Sequence, residues 1–254
     1  MVDIHSHILW DIDDGSKSKE MTINMLKKAK LGGTSKIVAT PHFFIGRYEK
    51  TFNEIKEAFE KIKTLAKEEG IDIEIYLGQE VYFTNNILQD YEEGTISTIN
   101  NSRYMLIEFN MKDFDLREVT ELLYELQLKG ITPVIAHPER YIKFIENDLL
   151  INQFIKEGYL FQLNSGSLKG DFGARVKKLA EKFIKNKIYS FIGSDGHRDE
   201  KRDTDMGIVE EVIKDKGYLN YLEKSGEDLL ENNEVKFVGN LMKKKTLLSL
   251  ITNR

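Results

Sequence analysis

The sequence predicts an α/β protein, and within that class a distorted (β/α)7 barrel similar to a TIM barrel. Seven short β-type segments alternate with amphipathic helical segments, a pattern typical of a parallel sheet. The alternation contains no glycine-rich dinucleotide-binding motif, which favours a closed or distorted barrel. A length of 254 residues fits one such barrel. Because no linker, repeat or low-complexity tract divides the chain, we expect a single domain over residues 1–254.

The predicted strands are short apolar runs, several of which end in polar motifs. In chain order they are Val2–Ile4, Lys36–Ala39, Ile73–Leu77, Tyr104–Phe109, Thr132–Ala136, Tyr159–Leu163 and Tyr189–Ile192. The tail beyond about Tyr218 lacks such motifs. We expect it to pack as terminal helices with a short strand at Val235–Val238.

Capping signals mark the predicted helices. Thr51 and Glu54 form a capping box before a helix that ends at Gly70. Asp115 begins a second helix, which Gly130 terminates. Residues spaced at the helical period are expected to face the core: Ile55, Phe59, Ile62, Leu65, Val119, Leu122, Leu123, Leu126, Leu179, Phe183 and Ile184.

Composition excludes several kinds of function. The net charge of −5 does not support a basic nucleic-acid-binding surface. The chain has no cysteine, which excludes disulfides, thiolate metal ligands and a cysteine nucleophile. No basic-then-apolar leader or membrane-spanning apolar run is evident, so we expect a cytoplasmic protein without direct membrane insertion.

All five histidines lie in short motifs that contain carboxylates or follow an apolar run. They are His5, His7, His42, His137 and His197. A single histidine of this kind is more often a satisfied core or surface residue. Five at predicted strand ends favour a different interpretation, because the reactive groups of such barrels collect at the C-terminal ends of the strands. Imidazole is also the commonest metal ligand, so the pattern predicts a multinuclear metal site.

Nine residues are candidate metal ligands: His5, His7, Asp14, His42, Glu80, Glu108, His137, Asp195 and His197. Asp11 and Asp13 compete with Asp14 on spacing alone. Glu80 and Glu108 have an alternative interpretation as salt-bridged acids at strand ends. Nitrogen and oxygen ligands without sulfur suit Mn²⁺, Fe²⁺ or Zn²⁺ better than Ca²⁺. Nine such groups are enough for two or three ions.

The charge of such a site predicts an anionic substrate. Three divalent ions bring +6 and the four candidate carboxylates −4, which leaves about +2 before Arg140 and Arg202 are counted. Two close ions can ionise a bridging water and stabilise an in-line displacement, as phosphoester hydrolysis requires. Arginines would add charge-assisted hydrogen bonds to the phosphate. For Arg202, a surface ion pair with Asp199, Glu200 or Asp203 is an equally good interpretation.

Six ordered motifs resemble those of the PHP (polymerase and histidinol phosphatase) superfamily, most closely its CpsB/CapC branch of bacterial metal-dependent protein-tyrosine phosphatases. They are Asp3-Ile4-His5-Ser6-His7-Ile8-Leu9, Ile12-Asp13-Asp14-Gly15-Ser16, Ala39-Thr40-Pro41-His42, Gly78-Gln79-Glu80, His137-Pro138-Glu139-Arg140-Tyr141 and Ser194-Asp195-Gly196-His197. Asn164-Ser165-Gly166-Ser167 also resembles the branch's Asn-Ala-Gly-Ser segment. The similarity runs from residue 1 to about residue 210. The sequence departs from the branch at Trp10-Asp11, where Pro-Gly is usual.

The resemblance implies a PHP-type distorted barrel that holds three metals, usually manganese. Glu80 would bridge two of them. The first would also be bound by His5, His7 and Asp195, the second by Glu108 and His137, and the third by Asp14, His42 and His197. Arg140 and Arg202 would bind the phosphate as substrate-binding and catalytic residues. Acids at Asp14 and Glu108, where several other PHP proteins have histidine, favour the CpsB/CapC branch.

Three functions remain open at this stage. The first is a manganese-dependent phosphatase of phosphotyrosine on a bacterial tyrosine kinase that controls capsular or exopolysaccharide synthesis. The second is hydrolysis of a small phosphomonoester such as histidinol phosphate. The third is a non-catalytic, metal-stabilised module that binds a kinase. Phe43, Phe44 and Tyr48 follow His42 and are placed either to flank a phenyl phosphate or to pack within their loop.

Overall fold

The computed structural model describes residues 1–244, which contain nine strand segments and ten α-helices. The strands are β1 (Val2–Ser6), β2 (Lys36–Ala39), β3 (His42–Phe43), β4 (Glu74–Leu77), β5 (Glu80–Tyr82), β6 (Tyr104–Glu108), β7 (Thr132–Ile135), β8 (Leu160–Asn164) and β9 (Phe191–Gly193). The helices are α1 (Lys19–Leu31), α2 (Phe52–Glu68), α3 (Ile87–Glu92), α4 (Leu116–Leu128), α5 (Ile142–Glu146), α6 (Ile151–Lys156), α7 (Ser165–Lys169), α8 (Ala174–Lys185), α9 (Ile208–Val212) and α10 (Lys216–Leu230). Within this part of the chain, no helix has the length and apolarity needed to cross a bilayer.

The nine segments form seven parallel barrel strands, which confirms the predicted (β/α)7 fold. β2 and β3 are two parts of one barrel strand, as are β4 and β5, and both pairs keep the same register across the break. Pro41 lies in the first break, where it lacks the N–H that a continuous ladder needs. The seventh barrel strand returns to the first through bonds from Asp195 N to His5 O (2.7 Å) and from His7 N to Gly196 O (2.9 Å).

The predicted helix starts are confirmed. The Thr51 hydroxyl accepts a bond from the Glu54 N–H at 3.4 Å, and the Glu54 carboxylate accepts one from the Thr51 N–H at 2.8 Å. Asp115 caps α4 by accepting bonds from the two N–H groups of Arg117 and Glu118. Most of the predicted inward residues are buried. Four are only half-buried at the edges of their apolar faces, namely Phe59, Leu65, Leu122 and Ile184.

The predicted strand at Val235–Val238 is wrong. The chain after α10 is irregular as far as residue 244, and side chains satisfy its backbone in place of a neighbouring strand. The Val235 N–H donates to the Tyr104 hydroxyl at 2.8 Å, and the Tyr221 hydroxyl donates to the Lys236 carbonyl at 2.8 Å. The end of the predicted domain, residues 245–254, lies outside the described part.

Candidate metal centre

The predicted ligand residues all lie at the C-terminal ends of the barrel strands or in the loops that follow them. Donor atoms from eight of them lie within 4.8 Å of one another in three overlapping groups: His5/His7/Glu80/Asp195, His7/Asp14/His42/His197 and His42/Glu80/Glu108. His137 completes the cluster, because its Nε2 lies 3.0 Å from Glu80 Oε1 and 3.5 Å from Glu108 Oε1. The structure thus brings together every candidate ligand that the motifs predict.

Glu80 lies at the centre of the cluster and is fully buried. Its Oε2 is 3.2 Å from His5 Nε2, 3.3 Å from His7 Nε2 and 3.1 Å from His42 Nδ1. Burial alone would raise the pKa of Glu80, but the charges of His5 and His42 and a hydrogen bond from His137 hold it well below its usual value. The central group is therefore a carboxylate facing four imidazoles.

Asp14 and Glu108 lie on two sides of this centre, and their pKa values are shifted in opposite directions. Asp14 Oδ1 is 3.5 Å from His42 Nε2 and 3.4 Å from His197 Nε2. Partial burial would raise the pKa of Asp14, but the neighbouring His197 lowers it. Burial and the neighbouring charge of Glu80 raise the pKa of Glu108 well above its usual value. A cation between Glu80 and Glu108 would relieve their repulsion.

Two further residues orient the imidazoles, and neither was among the predicted ligands. Asp13 Oδ2 is 2.7 Å from His7 Nδ1 and also accepts a bond from the His42 N–H at 2.9 Å. Gln162 Oε1 is 3.0 Å from His5 Nδ1. Occupying Nδ1 in this way leaves Nε2 of His5 and His7 directed at Glu80. Asp13 is thus not in competition with Asp14 but orients a histidine, and Gln162 could have been noticed as a polar residue within an apolar strand.

Several ligand atoms have no partner although they are buried. Within residues 1–244, Glu80 Oε2, His42 Nδ1 and Asp14 Oδ1 make no hydrogen bond. Buried polar atoms are costly when unsatisfied, and cations bound within these groups would satisfy all three. All are nitrogen or oxygen donors, Glu80 and His42 on strands and Asp14 in the loop after β1. The residues therefore fit a group of divalent transition-metal ions.

Two arginines border the centre at Asp195. Arg140 Nη1 donates to Asp195 Oδ2 at 2.5 Å, and Arg202 Nη2 lies 3.0 Å from both carboxylate oxygens. Burial would raise the pKa of Asp195, but Arg202, His197 and Arg140 hold it well below its usual value. The alternative interpretation of Arg202 is wrong: in the described chain its carboxylate partner is Asp195, not the adjacent acids.

A cavity of about 440 Å³ opens onto the centre. Both arginines line it, as do Phe44, Tyr48 and Tyr82. Phe43 does not, since alternation along β3 directs it into the core, where it is 5% exposed. Trp10 also lies elsewhere, in a separate groove lined by side chains of α1 and α2, and neither Trp10 nor Asp11 lines the cavity.

The polar residues at the cavity rim were missed at the sequence level. Arg47 and Lys112 line the cavity, and Asn110 lies two residues after Glu108 on the continuation of β6. They lie in irregular segments without a recognisable motif. Their position next to the ligand motifs is the only sequence signal that could have identified them.

Known proteins are similar to this chain over most of its length. The family model described as "Capsular polysaccharide synthesis, CpsB/CapC" matches residues 1–239. CapC of Staphylococcus aureus is 37% identical over 238 residues, which cover 92% of this chain and 93% of that protein. The tyrosine-protein phosphatase CpsB of Streptococcus pneumoniae is 35% identical over 243 residues, which cover 94% of this chain and 98% of that protein.

A solved structure is similar to this chain in fold. It comes from work on YwqE from Bacillus subtilis and CpsB from Streptococcus pneumoniae, described as unique metal-dependent tyrosine phosphatases. It superposes with a TM-score of 0.87 at 31% identity and covers 96% of this chain and 100% of its own. The lactonase Lmo2620 from Listeria monocytogenes, with a TM-score of 0.50 at 13% identity, shares the fold alone.

Proposed function

Since the chain belongs to the CpsB/CapC family of capsular polysaccharide synthesis proteins, we propose that it is a metal-dependent protein-tyrosine phosphatase. The observation that carries the proposal is the buried Glu80 carboxylate within 3.0–3.3 Å of four imidazoles, next to an arginine pair and open to a cavity. These parts suit hydrolysis of a phosphate monoester. Relatives that match over 94% and 78% of this chain bear the name tyrosine-protein phosphatase.

We propose that the centre holds two to three ions, with Mn²⁺ as the physiological metal. In this proposal Glu80 would contribute to two sites, one completed by His5, His7 and Asp195 and one by Glu108 and His137. Asp14, His42 and His197 would hold the third. His7 and His42 each contribute donor atoms to two of the three groups of neighbouring ligands described above. When bound, such ions lower the pKa of a water and neutralise phosphoryl oxygens.

The protein's own residues would bind and orient the phosphoryl group. Arg140 and Arg202 share Asp195, which holds both guanidinium groups at the cavity wall without substrate. A guanidinium carries five N–H donors, and only Nη1 of Arg140 and Nη2 of Arg202 bond Asp195, so further donors of the pair would bond phosphoryl oxygens. Asp13 and Gln162 keep the imidazoles in a single orientation, so little reorganisation is needed when substrate binds.

The cavity lining favours an aromatic phosphate over a small aliphatic one. Register pairs His42 with Glu80, so two residues further along each strand Phe44 and Tyr82 lie on the same face and stack at 3.8 Å with an interplanar angle of 2°. The Tyr48 ring is nearly parallel to that of His42 at 5.7 Å. We propose that this aromatic lining contacts the ring of phosphotyrosine.

The proposed substrate is a phosphotyrosine protein, and we infer that it is a bacterial tyrosine kinase whose activity controls capsular or exopolysaccharide synthesis. A kinase uses ATP, so the same proposal places the reaction in the cytoplasm. Rates on a phosphotyrosine peptide and on histidinol phosphate, measured side by side, test it. Faster hydrolysis of histidinol phosphate would favour the second function, and no turnover in metal-replete protein would favour the non-catalytic module.

Phe44→Ala is expected to reduce the preference for phosphotyrosine. Removing one aromatic partner should lower kcat/KM on a phosphotyrosine peptide by about threefold to tenfold, while the rate on a small aliphatic phosphate stays unchanged. Tyr124→Ala, an exposed ring on the outer face of α4, serves as the matched control. Equal losses on both substrates would show that Phe44 does not contact the phenyl ring.

A further inference from the structure

The ring of Phe172 lies against both arginines of the cavity. Its centroid is 4.2 Å from Cζ of Arg140 and 5.7 Å from Cζ of Arg202. Both arginines line the cavity, whereas Phe172 is not among the described residues that do so. The half-buried ring therefore contacts the guanidinium groups without lining the cavity itself.

The segment between α7 and α8 is shaped to present this ring. Gly170 and Gly173 on either side of it have φ values of 94° and 91°, which side chains at those positions would disfavour. Gly166 lies close beneath this segment, since a Cβ there would lie 3.0 Å from Asp171 Oδ2 and 3.2 Å from Phe172 Cε2. Gly166 belongs to the Asn164-Ser165-Gly166-Ser167 segment. None of these four residues is a candidate metal ligand, so the metal centre does not explain the glycine.

We propose that Phe172 is a positioning residue that holds Arg140 and Arg202 for the phosphoryl group, an inference that rests on the proposed function. Each guanidinium is a flexible group whose other anchor is Asp195. When a phosphoryl group binds, it competes with Asp195 for the same N–H donors. An aromatic face attracts the cation without using any N–H donor, so it holds the arginines in place during this exchange.

Phe172→Leu keeps apolar volume but removes the aromatic face. In metal-replete protein we expect it to weaken the binding of inorganic phosphate by about threefold to thirtyfold, as the loss of a partly desolvated cation–π contact implies. kcat/KM on a phosphotyrosine peptide should fall to a similar extent, while metal content and melting temperature stay unchanged. Phe172→Tyr retains the face and should restore phosphate affinity to within about twofold of the wild type.

Calorimetric titration of phosphate into wild type, Phe172→Leu, Arg140→Ala and the double variant tests the inference. The Phe172 effect should largely disappear when Arg140 is absent, because the ring acts through the guanidinium. Phe59→Leu is the matched control, since Lys63 Nζ lies 5.2 Å from that ring on the outer side of α2, and it should bind phosphate normally.

Three results would overturn the inference: unchanged phosphate affinity in Phe172→Leu, an undiminished effect in the Arg140→Ala background, or failure of Phe172→Leu to fold or retain metal. Failure to fold or to retain metal would show that the ring stabilises the fold and does not position the arginines. These results are separate from the proposed function, because phosphate binding is measured without turnover. A wild type that binds phosphate but does not hydrolyse phosphotyrosine would refute the activity alone.

Discussion

Glu80→Gln should abolish phosphatase activity while the barrel still folds. The substitution keeps the shape of the side chain but removes the charge that faces four imidazoles at 3.0–3.3 Å. Loss of a residue that merely orients a ligand costs about tenfold to a hundredfold in metal affinity or activity. Loss of the shared central carboxylate should cost more than about a hundredfold in turnover, and the ions bound per chain should decrease.

Glu74→Gln is the matched control for this variant. Glu74 begins the same barrel strand at its opposite end and is exposed. Metal content by elemental analysis and turnover should both be unchanged in it. A Glu80→Gln protein that retains all its ions and its rate would remove Glu80 from the metal centre.

Arg140→Ala should retain the metals but lose catalytic efficiency. Its guanidinium would donate a charged hydrogen bond to the phosphoryl group, and such bonds contribute roughly 1.5–3 kcal/mol. kcat/KM should therefore fall about tenfold to a hundredfold. Arg202→Ala should give an effect of similar size, because the pairing of Arg202 with Asp195 replaces the surface ion pair that its neighbours suggested.

Arg117→Ala controls for the general loss of an arginine. Arg117 pairs with Glu121 on the exposed face of α4, so its removal should leave kcat/KM and melting temperature unchanged. A purely structural role for Arg140 would give the opposite pattern, with near-normal kinetics and a lowered melting temperature. Kinetics, metal content and thermal unfolding of the three variants distinguish the two.

The barrel was predictable because its strands are short apolar runs between amphipathic helices with clear capping residues. The continuation of the second barrel strand at His42–Phe43 was not predicted, because Thr40 and Pro41 interrupt the apolar run after Ala39. The strand predicted in the C-terminal tail was wrong because its backbone has other partners. Val235–Val238 has the composition of a strand, but hydroxyl groups of Tyr104 and Tyr221, distant in sequence, satisfy its backbone.

The candidate ligands were predictable because histidines and acids recur where barrel strands end, and parallel strands bring those ends together. The supporting residues were harder to predict. Gln162 and Phe172 act through contacts with residues far away in the chain, and neither has a local pattern. Phe43 and Phe44 were equally hard to distinguish from sequence, because only the strand register decides which of the two adjacent rings faces the cavity.

Metal content measured together with turnover tests the central proposal most directly. The purified protein, reconstituted with Mn²⁺ and freed of excess metal, should hold two to three ions per chain by elemental analysis, as nine nitrogen and oxygen ligands imply. It should hydrolyse a phosphotyrosine peptide, lose that activity on exhaustive chelation and regain it when Mn²⁺ is restored. One ion or none in active protein, or activity that survives verified metal removal, would contradict the proposal.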